Sequence, residues 1–102
     1  MSDIRVLEQR ALEIRRKYDA LNQSREGQPL DAKKLAHGFK KDVSELVEII
    51  EQKNIDRKKL NHELADCLWN VLVIARKLDV DIERVFWATM EELDQRFKDG
   101  VA

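Results

Sequence analysis

The chain is poor in turn formers, with one proline and three glycines in 102 residues. A β-sandwich or barrel needs many tight turns, so this scarcity argues for helices. Cysteine is scarcer still: the lone Cys67 has no partner for an intrachain disulfide and falls among apolar neighbours, the pattern of an inert core thiol. No apolar run reaches the roughly 18 residues of a membrane span, and charged residues occur within the first five positions. Neither a membrane span nor a signal peptide is therefore expected, and the expected setting is reducing and cytoplasmic. An excess of one charge is also missing, since 19 Lys and Arg face 20 Asp and Glu for a net charge of −1. No global basic field favours nucleic acid. The basic clusters at Lys33/Lys34, Lys40/Lys41 and residues 57–59 are interleaved with acids, as solvated helix faces are.

Charge and helix-forming residues are what the chain has in abundance, 38% of it being Asp, Glu, Lys or Arg. Its length suits one domain over residues 1–102, able to bury roughly two-thirds of its unfolded surface. One entry device recurs four times. A Ser or Asp stands at a helix start, with an apolar residue before it and another five positions after that one: Met1/Val6 around Ser2, Leu30/Leu35 around Asp31, Ile55/Leu60 around Asp56, and Val80/Val85 around Asp81. The side chain caps the free N–H groups of the first turn while the apolar pair closes over it. Four such devices predict four helices: about Asp3 to Leu21, Ala32 to Gln52, one entered at Asp56 that holds the stretch Asn61 to Ala75, and Ile82 to Lys98. Between the first two, Asn22 to Pro29 reads as an irregular stretch punctuated by Gly27 and Pro29, either a mobile connection or part of a binding site.

The third helix is the unusual one. Leu60, Leu64, Cys67, Leu68, Val71, Leu72 and Ala75 share one broad face, and from Trp69 onward the opposite side is apolar too. A helix apolar nearly all round is expected to be buried all round. Within it, Glu63, Asp66 and Asn70 form one narrow polar stripe. On the second helix Asp42 falls inside the apolar arc of Leu35, Phe39, Val43, Leu46, Ile49 and Ile50, with Glu45 at its edge. Gly38 lies one turn earlier, where a missing side chain could admit another group or a helix crossing. On the fourth helix Val85, Phe86, Met90, Leu93 and Phe97 make the apolar stripe, and Trp87 falls off it, free to meet a second subunit, stack on a ligand base or, most simply, cover the first helix.

The connection between the second and third helices is short, which makes them antiparallel neighbours. Asp42 and Glu45 lie about ten to twelve residues before the turn, and Glu63 and Asp66 about eight to eleven after it; at about 1.5 Å per residue these reach one height. Four carboxylates at one level repel unless cations or protons neutralise them. An all-oxygen set suits a hard cation, Mg²⁺ or Mn²⁺, in preference to zinc. The other reading is a set of salt bridges to Lys41, Lys59 or Arg76, and spacing alone does not separate the two.

The segments GFKKDVSELVEII and HELADCLWNVLVIARKLDVDIERVFWATMEELDQRF resemble the MazG-like nucleoside triphosphate pyrophosphohydrolases, of the all-α NTP pyrophosphatase superfamily. That family carries Glu-Glu-x-x-Glu on one helix and Glu-x-x-Asp on the next. Glu63 and Asp66 match the second half and Glu45 the end of the first; Asp42 stands for the second Glu, and Lys41 replaces the first. Thr89 occupies a position where relatives often have Lys, and the Trp that many carry before the second helix is missing.

The resemblance implies an all-α, four-helix MazG-like bundle completed by homo-oligomerisation, as a dimer or a dimer of dimers. It implies hydrolysis of a nucleoside triphosphate between the α and β phosphates, with Asp42, Glu45, Glu63 and Asp66 holding Mg²⁺ (or Mn²⁺) and carrying catalysis. Lys41, Asn70 and Arg96 become candidates for phosphate or sugar contacts, and His62 for a solvent-edge or packing role. The alternative from another class is a non-catalytic helical homodimer, with the acids reduced to structural pairing.

Overall fold

The computed structural model describes residues 3–26 and 31–100. Four helices follow one another, α1 (Asp3–Glu26), α2 (Ala32–Glu51), α3 (Arg57–Lys77) and α4 (Ile82–Lys98), with no strand among the described residues. Three of the four expected caps are formed. The Asp31 carboxylate accepts from the N–H of Lys34 at 2.9 Å, that of Asp56 from Lys58 and Lys59 at 3.1 and 3.2 Å, and that of Asp81 from Arg84 at 3.3 Å. Each pairs a donor that the first helical turn would otherwise leave open. The fourth device, at Met1 and Ser2, lies outside the described residues.

Helix α1 runs five residues further than the sequence suggested, to Glu26. The segment 22–26 contains neither Gly nor Pro, so nothing in it stops a helix already under way. The rest of the expected irregular stretch, Gly27 to Pro29, lies outside the described residues. Helix α3 ends in a turn in which Asp79 adopts a left-handed φ of 59°, a conformation Asp tolerates better than most residues. There Leu78 and Val80 donate to the carbonyls of Ile74 and Ala75 at 3.0 and 2.7 Å, closing off α3 and turning the chain into α4.

The core is small and draws on every helix. Ala11 of α1, Leu35 of α2 and Leu72 and Val73 of α3 are buried together, with Ile4, Trp69, Ile74 and Ile82 packed around them. Helices α1 and α2 both lie against α3. Trp69 fastens the first of these contacts, its Nε1 donating to the Ala11 carbonyl at 2.9 Å. The Arg15 guanidinium lies 5.3 Å from the Trp69 ring centre and 5.8 Å from that of Tyr18, while pairing with Asp19 at 3.1 Å.

Helix α4 is held differently, by Ile82 in the core and an Arg5–Glu83 ion pair at 3.6 Å, both in its first turn. The remainder diverges from the other three helices. Phe86, Met90, Leu93 and Phe97 are exposed, and Trp87 stays 63% exposed, edge-on to Phe86, instead of covering α1. The radius of gyration, 16.5 Å, exceeds the about 13 Å of a compact domain of this length. This also corrects the expectation that α3 is buried all round. Two helices cover it, α4 does not, and Leu64 and Leu68 remain 50% and 45% exposed.

A Cβ built at Gly38 meets nothing within 4 Å, so no described helix of the same chain crosses close to it. Two substitutions should then move stability in opposite directions in chemical denaturation. Leu72→Ala removes a side chain only 3% exposed and should cost about 2–4 kcal/mol. Gly38→Ala fills open space on a helix and should add about 0.5–1 kcal/mol.

Candidate metal centre

The α2–α3 seam carries the acids because both helices must turn an apolar face inward across a short connection. Asp42 and Glu45 are one turn apart on α2, and Glu63 faces them from α3. One carboxylate oxygen from each of the three lies within 4.8 Å of the others, and all three residues are half-buried. No described cation pairs with any of them, so salt bridges to Lys41, Lys59 or Arg76 do not account for the cluster among the described residues.

Asp66, the fourth acid of the pattern, is engaged elsewhere. Its Oδ2 lies 3.2 Å from Nε2 of His62, one turn back on the same helix. Asn70 reaches across the seam instead, its Nδ2 donating to Asp42 Oδ2 at 2.8 Å and to the carbonyl of Asp66 at 2.9 Å. That amide therefore fixes one face of the Asp42 carboxylate and ties it to α3. Lys41 is exposed beside Asp42. Arg96 lies on α4, paired with Glu92 at 2.7 Å and remote from the acids in sequence and packing. Sequence reasoning missed the His62–Asp66 and Asn70–Asp42 pairings. The i, i+4 spacing of the first was visible, but not the side-chain orientations that select it.

Crowding leaves an electrostatic mark. Burial raises the Glu63 carboxyl above its ordinary value near 4.5; the charge of Glu45, a hydrogen bond to it, and then the charges of Asp42 and Asp66 push the same way. Glu63 Oε1 is sealed from solvent without a hydrogen-bond partner. The Cys67 thiol is pushed up too, first by burial and then by the same acids, which keeps it a poor nucleophile.

A buried, partnerless carboxylate oxygen beside two more carboxylates is a donor set that a hard divalent cation fits. Magnesium binds oxygen at about 2.0–2.1 Å, so opposite ligands stand about 4.2 Å apart. The three acids, within 4.8 Å of one another, are near that span; adjacent ligands stand closer still, so the side chains would draw together on such an ion. Beside it opens a cleft of about 910 Å³ toward the α2–α3 turn, with Glu45, Glu48 and Ile49 on one wall and Lys58, Lys59, His62 and Glu63 on the other. That is ample for a nucleotide-sized ligand.

Residues 31–101, which include all of α2, α3 and α4 and make up more than two-thirds of the chain, match the family model of the MazG nucleotide pyrophosphohydrolase domain. No curated protein and no solved structure matches the chain. Helix α1 precedes the matched region.

The raised Glu63 carboxyl fixes a pH dependence. The folded chain holds a proton that the unfolded chain releases at the ordinary glutamate value, so the native state binds more protons in the window above about 4.5. The Glu63 contribution is thus fully present below that pH and lost as pH rises through the raised native value. Thermal unfolding in chelator should show a Tm falling across this window, with the fall reduced in Glu63→Gln.

Proposed function

The chain belongs to the MazG nucleotide pyrophosphohydrolase family, and from that premise we propose that it hydrolyses a nucleoside or deoxynucleoside triphosphate between the α and β phosphates. The products are a nucleoside monophosphate and pyrophosphate, and the role is removal of unwanted nucleotides from the pool. The observation that carries this reading is the unpaired Asp42–Glu45–Glu63 cluster opening on a nucleotide-sized cleft.

In this reading Asp42, Glu45 and Glu63 hold Mg²⁺ or Mn²⁺, and Asp66 joins them by turning from His62. The bound ion supplies Lewis-acid polarisation of phosphoryl oxygens and lowers the pKa of a coordinated water. Glu45 or Asp42 orients the attacking water and takes its proton as oxygen bonds to the α-phosphorus and the α–β bridging bond breaks. Asn70 holds Asp42 in place through the bond already formed and can offer its free carbonyl to the sugar. Lys41 is placed to approach a phosphate, while Arg96 would do so only in an assembly that brings α4 over a site.

Such an assembly also answers the exposed apolar surface. Leu64 and Leu68 on α3 and Phe86, Met90, Leu93 and Phe97 on α4 are all exposed in one chain, more than a monomer ordinarily leaves uncovered. A homodimer or dimer of dimers formed through these residues completes the bundle. The one domain spans residues 1–102, and its setting is the cytoplasm. No helix is long and apolar enough to cross a membrane among the described residues.

Pyrophosphate release from a panel of nucleoside triphosphates with Mg²⁺ tests the activity. Glu63→Gln should lower it roughly a hundredfold or more with helicity unchanged. A wild-type chain that releases no pyrophosphate from any of them would favour a non-catalytic helical interaction protein. For assembly, Leu93→Lys should lower the mass measured by light scattering to that of one chain.

A further inference from the structure

We propose that Lys58 and Lys59, at the start of α3, form the phosphate-receiving wall of the cleft and engage the polyphosphate tail of its ligand. This rests on the nucleotide-hydrolase reading above and goes beyond it by assigning the cations. The cleft carries both signs of charge: Glu45 and Glu48 line it from α2, Lys58, Lys59 and Glu63 from α3, and Asp56 from the turn between them. Lys59 stands one helical turn before Glu63 and Lys58 one turn before His62, so both lysines share faces with residues lining the same space. Neither forms an ion pair with a described carboxylate, although acids line the same cleft.

The chemistry needs such a wall. A divalent ion offsets only part of the charge of a triphosphate, and Glu45, Glu48 and Glu63 repel the rest. Fixed cations beside the acids let one cleft accept the ion on its acidic part and the remaining anionic oxygens on its basic part. The other candidates do not reach it within one chain: Arg96 is committed to Glu92 on the diverging α4, and Lys41 does not line the cleft. The Lys58 and Lys59 amides are already taken by the Asp56 cap, so the side chains and not the helix end make the contact.

The two ligands of the cleft should respond with opposite signs. In calorimetry on the full chain, the double variant Lys58→Ala/Lys59→Ala should bind Mg²⁺–tripolyphosphate at least roughly tenfold more weakly, the loss expected for charge-assisted contacts. It should bind Mn²⁺ alone as tightly as the wild type or more so, because two repelling cations are gone. Lys58→Arg/Lys59→Arg should restore tripolyphosphate binding. Unchanged tripolyphosphate binding in the alanine variant, with Mn²⁺ binding intact, overturns the lysine assignment and leaves the metal reading standing. Parallel loss of both ligands also overturns it, since the lysines would then only support α3. A wild-type chain that takes up no Mn²⁺ overturns the metal reading and this inference with it.

Discussion

Val73 is 1% exposed, at the place where α3 meets its neighbours, and the double packing of that helix governs the rest of the molecule. Because α2 lies against α3, the Glu63 end of its narrow polar stripe is turned into the α2–α3 seam and half-buried there. The turn between α2 and α3 is too short to let either helix rotate away. Glu63 is therefore pressed against Asp42 and Glu45, and one of its oxygens is left dry and unpartnered. Packing, not local preference, places like charges together.

Such an arrangement lowers stability in the absence of a counter-charge. Structural ion pairing would have been the simple remedy, and the chain has lysines within reach. The described cations pair elsewhere or remain free: Arg15 and Lys77 serve Asp19, and Arg96 serves Glu92. An acid cluster left uncompensated between two well-packed helices is what a cation-dependent site requires, and membership of the MazG family points the same way.

Much of this could be read from the residues. Caps at Asp31, Asp56 and Asp81 marked three helix starts because a side-chain oxygen at a helix entry has one obvious use. The proximity of Asp42, Glu45 and Glu63 followed from rise per residue and a short turn. What escaped was set by contacts between distant segments. The Trp69–Ala11 bond spans 58 residues, and no local pattern announces it. The orientation of Asp66 toward His62 depends on rotamer choice within α3. The exposure of Leu64 and Leu68 depends on what covers α3 besides α1 and α2, which the pattern within α3 does not contain. A periodic apolar stripe tells that a face will be covered but not by which chain.

The manner in which α4 is attached has a mechanical consequence. With one isoleucine and one ion pair in its opening turn as anchors, the helix is a cantilever whose far end carries no load from the rest of the chain. Regions with few buried contacts open at the lowest free energy. In a solitary chain the fold thus divides into a cohesive three-helix block and an appendage able to unwind from its tip without disturbing the acids at the α2–α3 seam.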